Sequence, residues 1–160
     1  MPVCNVPDYG TTEVADHAIA LMLSLTRGTA AYHRMLSKAP FNAWRFADAP
    51  LVQRLRGAVF GVIGMGRIGM ATALRARAFG MRILFYDPHL PSGVELSLGF
   101  ERVLDLESLV SQADVMSIHA PLDQSTERLI NRNLLGVGKR GQILVNTARG
   151  PIVDRDAVYE

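Results

Sequence analysis

Short apolar runs alternate with segments of helical periodicity along most of the chain. Apolar runs bounded by turn residues are typical of parallel strands covered on both faces, and apolar residues three and four apart indicate helices between them. The pattern predicts strands at 58–63, 81–86, 100–103, 114–118 and 142–146, and helices at 67–79, 105–111 and 131–136. A last helix is predicted to begin at Asp154 as its N-cap. This alternation predicts an α/β fold with a doubly wound parallel sheet.

The most apolar stretch, residues 18–25, precedes the first predicted strand. It is too short to cross a bilayer and is bordered by charged residues, so no membrane partner is expected. We predict a helix with Thr11 or Thr12 as its N-cap, Glu13 in its first turn and Gly28 at its end. Its apolar positions run nearly all round, so it needs cover on more than one side. Burial inside one domain and a contact between subunits are both open.

Composition narrows the functional classes. A chain of 160 residues with 49% apolar residues fits one compact domain. The net charge is only +2 and both signs are interspersed, which does not favour nucleic-acid binding. The single cysteine, Cys4, cannot form an internal disulfide, so a reducing, cytoplasmic location is expected. No metal site is predicted.

Residues Gly64, Met65, Gly66, Arg67, Ile68 and Gly69 match the pattern G-x-G-x-x-G directly after the first predicted strand. In this pattern the first glycine permits a tight turn, the second lets the backbone approach a pyrophosphate, and the third lets helix and strand pack closely. The helix that begins near Arg67 would point its free N–H groups at the phosphates. With a strand before, a helix after and an acidic residue about 20 residues on, the context predicts dinucleotide binding.

Asp87 ends the second predicted strand. A carboxylate at this position accepts hydrogen bonds from both ribose hydroxyls and repels a 2′-phosphate. Because Pro88 and His89 follow it instead of Arg or Lys, NAD is favoured over NADP. The alternative is that Asp87 only starts a turn before Pro88.

Two further segments follow predicted strands: His119, Ala120, Pro121 and Leu122, with Thr126 close behind, and residues 146–150 with Arg149. In an open parallel sheet these carboxyl ends line the ligand crevice. The planar guanidinium of Arg149 suits bidentate recognition of a carboxylate beside a nicotinamide. Position alone leaves this role and a solvated or ion-paired surface arginine equally open.

Six motifs together resemble the D-isomer-specific 2-hydroxyacid dehydrogenases. They are V-C-N-V-P at 3–7, E-V-A-D-H at 13–17, L-R-G at 55–57, G-M-G-R-I-G at 64–69, F-Y-D-P at 85–88 and N-T-A-R-G at 146–150. The residues that follow Asp87 look most like the branch that contains C-terminal binding protein and its bacterial dehydrogenase relatives.

The resemblance implies a role for each site residue. Residues 63–68 would hold the pyrophosphate, Asp87 the adenosine ribose, residues 120–126 the flank of the cofactor, and Thr147 and Ala148 the nicotinamide end. Arg149 matches the arginine that binds the substrate carboxylate. The predicted cofactor-binding residues are Val14, Ile63, Gly64, Met65, Gly66, Arg67, Ile68, Gly69, Asp87, His119, Ala120, Pro121, Thr126, Thr147 and Ala148.

In the family this arginine works with a glutamate and a histidine, and neither has a counterpart here; His119 matches a position on the cofactor side. The resemblance therefore implies a chain shortened at both ends, with little turnover alone. Residues 1–50 would be a linking helical segment and residues 51–160 an incomplete dinucleotide-binding domain, joined at 47–57.

The function implied is hydride transfer between NAD(H) and a small 2-hydroxy or 2-oxo acid, in a homodimer. The alternative is an NAD-sensing corepressor or scaffold of the C-terminal binding protein type. A nucleotide-binding module of different chemistry is a third possibility, but the N-T-A-R-G segment argues against it.

Overall fold

The computed structural model describes residues 1–4, 6, 8–39 and 52–159. Its helices are α1 Thr11–Thr26, α2 Thr29–Lys38, α3 Arg67–Ala78, α4 Val94–Leu98, α5 Leu106–Gln112, α6 Arg132–Gly136 and α7 Arg155–Tyr159. Its strands are β1 Val59–Ile63, β2 Arg82–Tyr86, β3 Glu101–Arg102, β4 Val115–Ile118 and β5 Ile143–Asn146. Each of the five predicted strands is therefore present, and the doubly wound α/β fold is confirmed.

The five strands form one parallel sheet in the order β3-β2-β1-β4-β5. The chain runs outward from β1 to β3 and then returns to β4 on the other side of β1. The strand order therefore reverses between β1 and β4. Ligands of open α/β sheets bind outside the carboxyl ends of the strands at such a reversal, which places the expected site at Ile63 and Ile118.

Both faces of the sheet are covered, which explains why the strands are apolar without alternation. Phe60, Val62 and Phe85 contribute to a core under α1 and α3, whereas Ile63 and Met116 contribute to a second core on the face of α5. Successive residues of a strand point to opposite faces, so each strand needs apolar side chains at odd and even positions alike.

Helix α1 differs from the prediction at both ends. Thr11 and Thr12 lie inside its first turn, and Gly10 is the N-cap residue with no side-chain cap. The helix ends at Thr26, and Gly28, in a left-handed conformation with φ of 66°, begins α2 instead. The N-cap prediction was wrong because the helical hydrogen bonds begin at the Gly10 carbonyl, which accepts from the Val14 N–H at 3.0 Å, so both threonines lie inside the helix.

Helix α1 packs against α3 and β5. Ala18, Ile19 and Met22 are buried there in the same core as Phe60. Leu21 and Leu25 stay 39% and 42% exposed. One side of the helix is therefore buried inside the domain, which was one of the two alternatives. The other side, with Leu21 and Leu25, remains exposed to solvent.

The short helix α4 was not predicted, while α5 and α6 lie within one residue of their predicted bounds and begin after polar N-cap residues. Asp105 accepts from the Ser108 N–H and Asn131 from the Leu134 N–H. Asp154 precedes α7, and its carboxylate accepts from the Asp156 N–H at 3.2 Å. The boundary predicted at residues 50 and 51 lies outside the described residues and stays a prediction. None of the helices described is both long and apolar enough to cross a membrane.

Candidate functional site: a cleft at the carboxyl edge of the sheet

The glycine motif forms a tight turn at the end of β1. Gly64 has φ of +88°, and a Cβ there would lie 2.8 Å from the backbone nitrogen of Ala120, after β4. A Cβ on Gly69 would overlap the carbonyl oxygen of Gly64, so α3 could not pack this close with a larger residue. A Cβ on Gly66 would meet nothing within 4 Å. Gly66 therefore borders open space, as expected for a backbone that a pyrophosphate approaches.

Helix α3 begins at this turn and points its N-terminus toward the same open space. Gly66 is its N-cap residue, with no side-chain cap and no acidic residue in the first turn. The first N–H groups of a helix lack intrahelical acceptors and favour an anion. The side chains of Ile63 and Met65 are buried in the core, so only their backbone can face a ligand.

The carboxylate of Asp87 is held at the end of β2 by two backbone groups. Oδ2 accepts from the Met65 N–H in the glycine turn at 2.9 Å, and Oδ1 accepts from the His89 N–H at 2.9 Å. The bond from His89 is the turn contact that a simple turn before Pro88 would make. The bond from Met65 ties Asp87 to the glycine motif as well, so its carboxylate lies beside the start of α3.

A cleft of about 790 Å³ opens beside α3. Among the predicted residues it is lined by Val14, Arg67, Ile68, His119, Ala120, Pro121, Thr147, Ala148 and Arg149. Ile63, Gly64, Met65, Gly66, Gly69, Asp87 and Thr126 lie outside this lining. The structure thus brings together residues from α1, α3 and the loops after β4 and β5, and Asp87 stands apart at the end of β2.

His119 is held neutral at the wall of the cleft. Burial lowers the pKa of its imidazole from 6.5 to about 4. Its Nε2 lies 2.8 Å from Oγ of Ser117, a fully buried polar residue of β4. Because the ring is uncharged near neutral pH, His119 is a poor proton donor there, which agrees with a place on the cofactor side.

Two predicted threonines differ in what their hydroxyls do. Oγ1 of Thr147 is buried and has no hydrogen-bond partner among the residues that the structure describes, and Thr147 lines the cleft. A buried hydroxyl without a partner is costly, so a bound amide or hydroxyl would satisfy it. Thr126 instead donates to the carbonyl of Pro121 at 2.6 Å and so closes its own loop. Its predicted cofactor contact stays a prediction.

Arg149 is exposed at the mouth of the cleft. Among the residues described, no carboxylate lies within ion-pair distance of it; its Nη1 donates only to the carbonyl of Ala148 at 2.8 Å. Asn146 shapes this loop, since its side chain accepts from the Ala148 N–H at 3.0 Å and donates to the Arg149 carbonyl at 2.9 Å. The lack of a carboxylate beside Arg149 in the described residues argues against a surface ion pair and leaves its guanidinium available to an anion.

Part of the lining was not predicted from the sequence. Val6, Asp8, Tyr9, Gly10 and Thr11 also face the cleft, and Asp8 forms an ion pair with Arg67. The motif at 3–7, which contains Val6 and ends just before Asp8, was the available signal. Leu122, in the segment predicted after β4, lines the cleft as well.

These residues together fit a dinucleotide: an open glycine turn, an uncapped helix N-terminus, a fixed carboxylate after β2 and an unsatisfied hydroxyl in the cleft. Comparison with known proteins agrees. The family model of the D-isomer specific 2-hydroxyacid dehydrogenase, NAD binding domain, matches residues 19–160.

Individual relatives cover nearly all of this chain. D-3-phosphoglycerate dehydrogenase of Methanocaldococcus jannaschii is 38% identical over 99% of the chain and 29% of its own length. Hydroxypyruvate reductase of Blautia hydrogenotrophica is 38% identical over 99% of the chain and 49% of its own length. The apo structure of D-lactate dehydrogenase from Escherichia coli superimposes with a TM-score of 0.84, at 37% identity over 96% of this chain and 47% of that chain. The chain therefore spans half or less of the length of these relatives.

Gly69→Ala and Gly66→Ala should separate folding from binding. Gly69→Ala places a Cβ against the Gly64 carbonyl, so we expect a loss of stability of about 3 kcal/mol, at the upper end for overpacking. Gly66→Ala adds its Cβ to open space, so the fold should hold while NAD affinity falls. Urea unfolding and calorimetry measure the two effects. Equal destabilisation by both substitutions would contradict this.

The stability of the chain should fall as the pH drops from about 6.5 to about 4, in part through His119. In this range the unfolded chain binds a proton that the buried imidazole does not, and the effect reaches about 1.4 kcal/mol per pH unit. His119→Gln removes the titrating group. Urea unfolding at several pH values should therefore give a shallower acid loss for the variant. Parallel curves would show that His119 is not held neutral by burial.

Proposed function

Because the chain belongs to the D-isomer specific 2-hydroxyacid dehydrogenase family, as its NAD binding domain, we propose that it is the NAD-binding portion of an oxidoreductase. The reaction is hydride transfer between NAD(H) and a small 2-hydroxy or 2-oxo acid. The observation that carries the proposal is Arg149, which has no carboxylate partner in the described part of the chain and lies in the same cleft as Ile68 at the start of α3. Steady-state assays of the whole protein with glyoxylate, pyruvate, hydroxypyruvate and phosphohydroxypyruvate test it, and no turnover of any 2-oxo acid would contradict it.

Different residues of the chain would bind different parts of the cofactor. The N–H groups at the start of α3, with the backbone of Gly66, would bind the pyrophosphate, and Asp87 the adenosine ribose. Thr147 and Ala148 would flank the nicotinamide end, where the Thr147 hydroxyl lacks a partner. When bound, NAD supplies or accepts the hydride.

Arg149 would bind the carboxylate of the acid and hold its reacting carbon beside the nicotinamide. The gain is in orientation, together with electrostatic stabilisation of the substrate oxygen. Burial lowers the pKa of His119 to about 4, so its neutral ring is a poor donor of a proton to that oxygen when the 2-oxo acid is reduced. The proposal assigns that proton to a group outside the described residues.

The relatives reported above are named for dehydrogenase and reductase activities. They favour the enzyme over the NAD-sensing corepressor, and the predicted similarity to the C-terminal binding protein branch stays a prediction. A cytoplasmic location and a homodimer are part of the proposal, the latter supported by the open side of α1.

Asp87→Ala should weaken NAD binding by about 1.5–3 kcal/mol, the value of hydrogen bonds to a charged group, and narrow the preference for NAD over NADP. Asp154→Ala is the matched control, because the Asp154 carboxylate likewise accepts from the N–H two residues on, that of Asp156, outside the cleft lining. Calorimetry with both cofactors measures the effect. Equal NAD and NADP affinities in the unchanged chain would contradict the assigned preference.

Arg149→Lys in the whole protein keeps the charge but loses the planar fork, so kcat/KM should fall at least about tenfold with little change in NAD affinity. Arg140→Lys, at an exposed turn, is the control. A collapse of NAD binding would instead show that Arg149 holds the cofactor or the fold.

Leu25→Glu should shift the protein toward monomer, because it places a charge on the open side of α1. Leu96→Glu, on the exposed side of α4, is the control and should leave assembly unchanged. Light scattering across a concentration series measures both. A monomeric unchanged protein at all concentrations would contradict the homodimer.

A further inference from the structure

Arg102 lies on the edge strand β3 and reaches across the end of β2 to the loop that begins with Asp87. In the sheet register Arg102 pairs with Phe85, two residues before Asp87. Its side chain is only 13% exposed, and its guanidinium carbon lies 6.0 Å from the centre of the Phe85 ring. The sheet thus fixes the base of this arginine beside the strand that carries Asp87.

The guanidinium binds both ends of the Asp87 loop, residues 87–91. Nη2 donates to the carbonyls of Asp87 at 2.8 Å and Leu90 at 2.9 Å, and Nη1 donates to the carbonyl of Pro91 at 3.1 Å. Pro88 and Pro91 have no N–H groups, which limits the bonds the loop can make within itself. One side chain therefore closes the loop through three carbonyls.

A carboxylate balances the charge of this arginine. Oε2 of Glu95 is buried, accepts no hydrogen bond from the described residues and lies 3.7 Å from Nη1 of Arg102. Oε1 of Glu95 accepts from the Gly93 N–H at 3.1 Å, in the turn that follows the loop. Arg102 and Glu95 thus form a partly buried pair under the Asp87 loop.

We infer that Arg102 is a positioning residue for adenosine-ribose recognition and so for the choice between NAD and NADP, an inference that rests on the proposed function. The carboxylate of Asp87 already accepts hydrogen bonds from the N–H groups of Met65 and His89. To bind a ribose as well, it must keep its orientation, and this requires a fixed backbone at Asp87. Arg102 holds the carbonyl side of that same residue. The contacts come from two separate nitrogens of the planar fork, Nη1 and Nη2, whereas the ammonium group of a lysine carries its three N–H groups on one atom.

The test is a double-mutant cycle on the chain, with Kd for NAD and NADP measured by calorimetry. Arg102→Met should weaken NAD binding about tenfold, the effect of losing charge-assisted hydrogen bonds that hold the loop, and should reduce the ratio of NAD to NADP affinity. In the Asp87→Ala background the same substitution should have less than about a twofold effect, because the group it positions is gone. Arg102→Lys is the more conservative variant, because it keeps the charge beside Glu95. It should also weaken NAD binding and reduce the ratio of NAD to NADP affinity, with a smaller effect in the Asp87→Ala background.

Arg77→Met is the matched control. Arg77 also lies near an aromatic ring, 5.2 Å from the centre of Phe100, and donates to one backbone carbonyl, that of Leu98 at 3.1 Å, but it does not touch the Asp87 loop. The Arg77→Met variant should therefore bind NAD and NADP with the same affinities as the unchanged chain.

Three results would overturn the inference while the control and the unchanged chain still bind NAD. They are unchanged NAD and NADP affinities in folded Arg102 variants, an equal loss in the Asp87→Ala background, or failure of both Arg102 variants to fold. The last two would mark Arg102 as a structural residue of the sheet edge. No NAD binding by the unchanged chain would overturn the proposed function itself, and this inference with it.

Discussion

The close approach of three backbone segments at Gly64 is the constraint on which the site depends. At this residue β1 ends, the first turn of α3 passes against its carbonyl through Gly69, and the backbone after β4 passes through Ala120. No side chain fits at either glycine, and φ of +88° at Gly64 suits glycine alone. Because these segments converge where the strand order reverses, the N-terminus of α3 faces the crevice between β1 and β4, where a phosphate can reach it.

Around this point, polar side chains fix the loops that follow β1, β4 and β5. Asp87, which follows β2, accepts from the glycine turn after β1, and Ser117 lies against His119 at the end of β4. Asn146, at the end of β5, binds the backbone of Ala148 and Arg149, the two residues after Thr147. Short contacts of this kind orient functional groups before a ligand arrives. The unsatisfied hydroxyl of Thr147 and the unpaired guanidinium of Arg149 are then the groups left to bind it.

Much of the fold could be predicted from sequence because buried parallel strands require apolar runs. The run at 58–63 corresponds to β1 Val59–Ile63 and the run at 81–86 to β2 Arg82–Tyr86. The roles of Gly64 and Gly69 were predictable too, since they follow from local geometry. Contacts between distant residues were not: Arg102 is separated from Asp87 by 15 positions, and only the β2–β3 pairing shows that they meet. Gln142, predicted to begin a strand, instead donates to the carbonyls of Val110 and Ala113, a role set by tertiary packing.

Backbone hydrogen exchange of the chain with and without saturating NAD tests the central claim most directly, because it reports which amides the ligand covers. Added protection is expected at residues 64–70, at 119–122 and at 147–149, with little change elsewhere on the sheet. The cavity lined by Glu127, Arg128, Asp154 and Arg155 is an internal comparison, since it lies away from the glycine turn. Protection confined to that cavity, or no change at residues 64–70, would contradict the assignment of the cleft as the dinucleotide site.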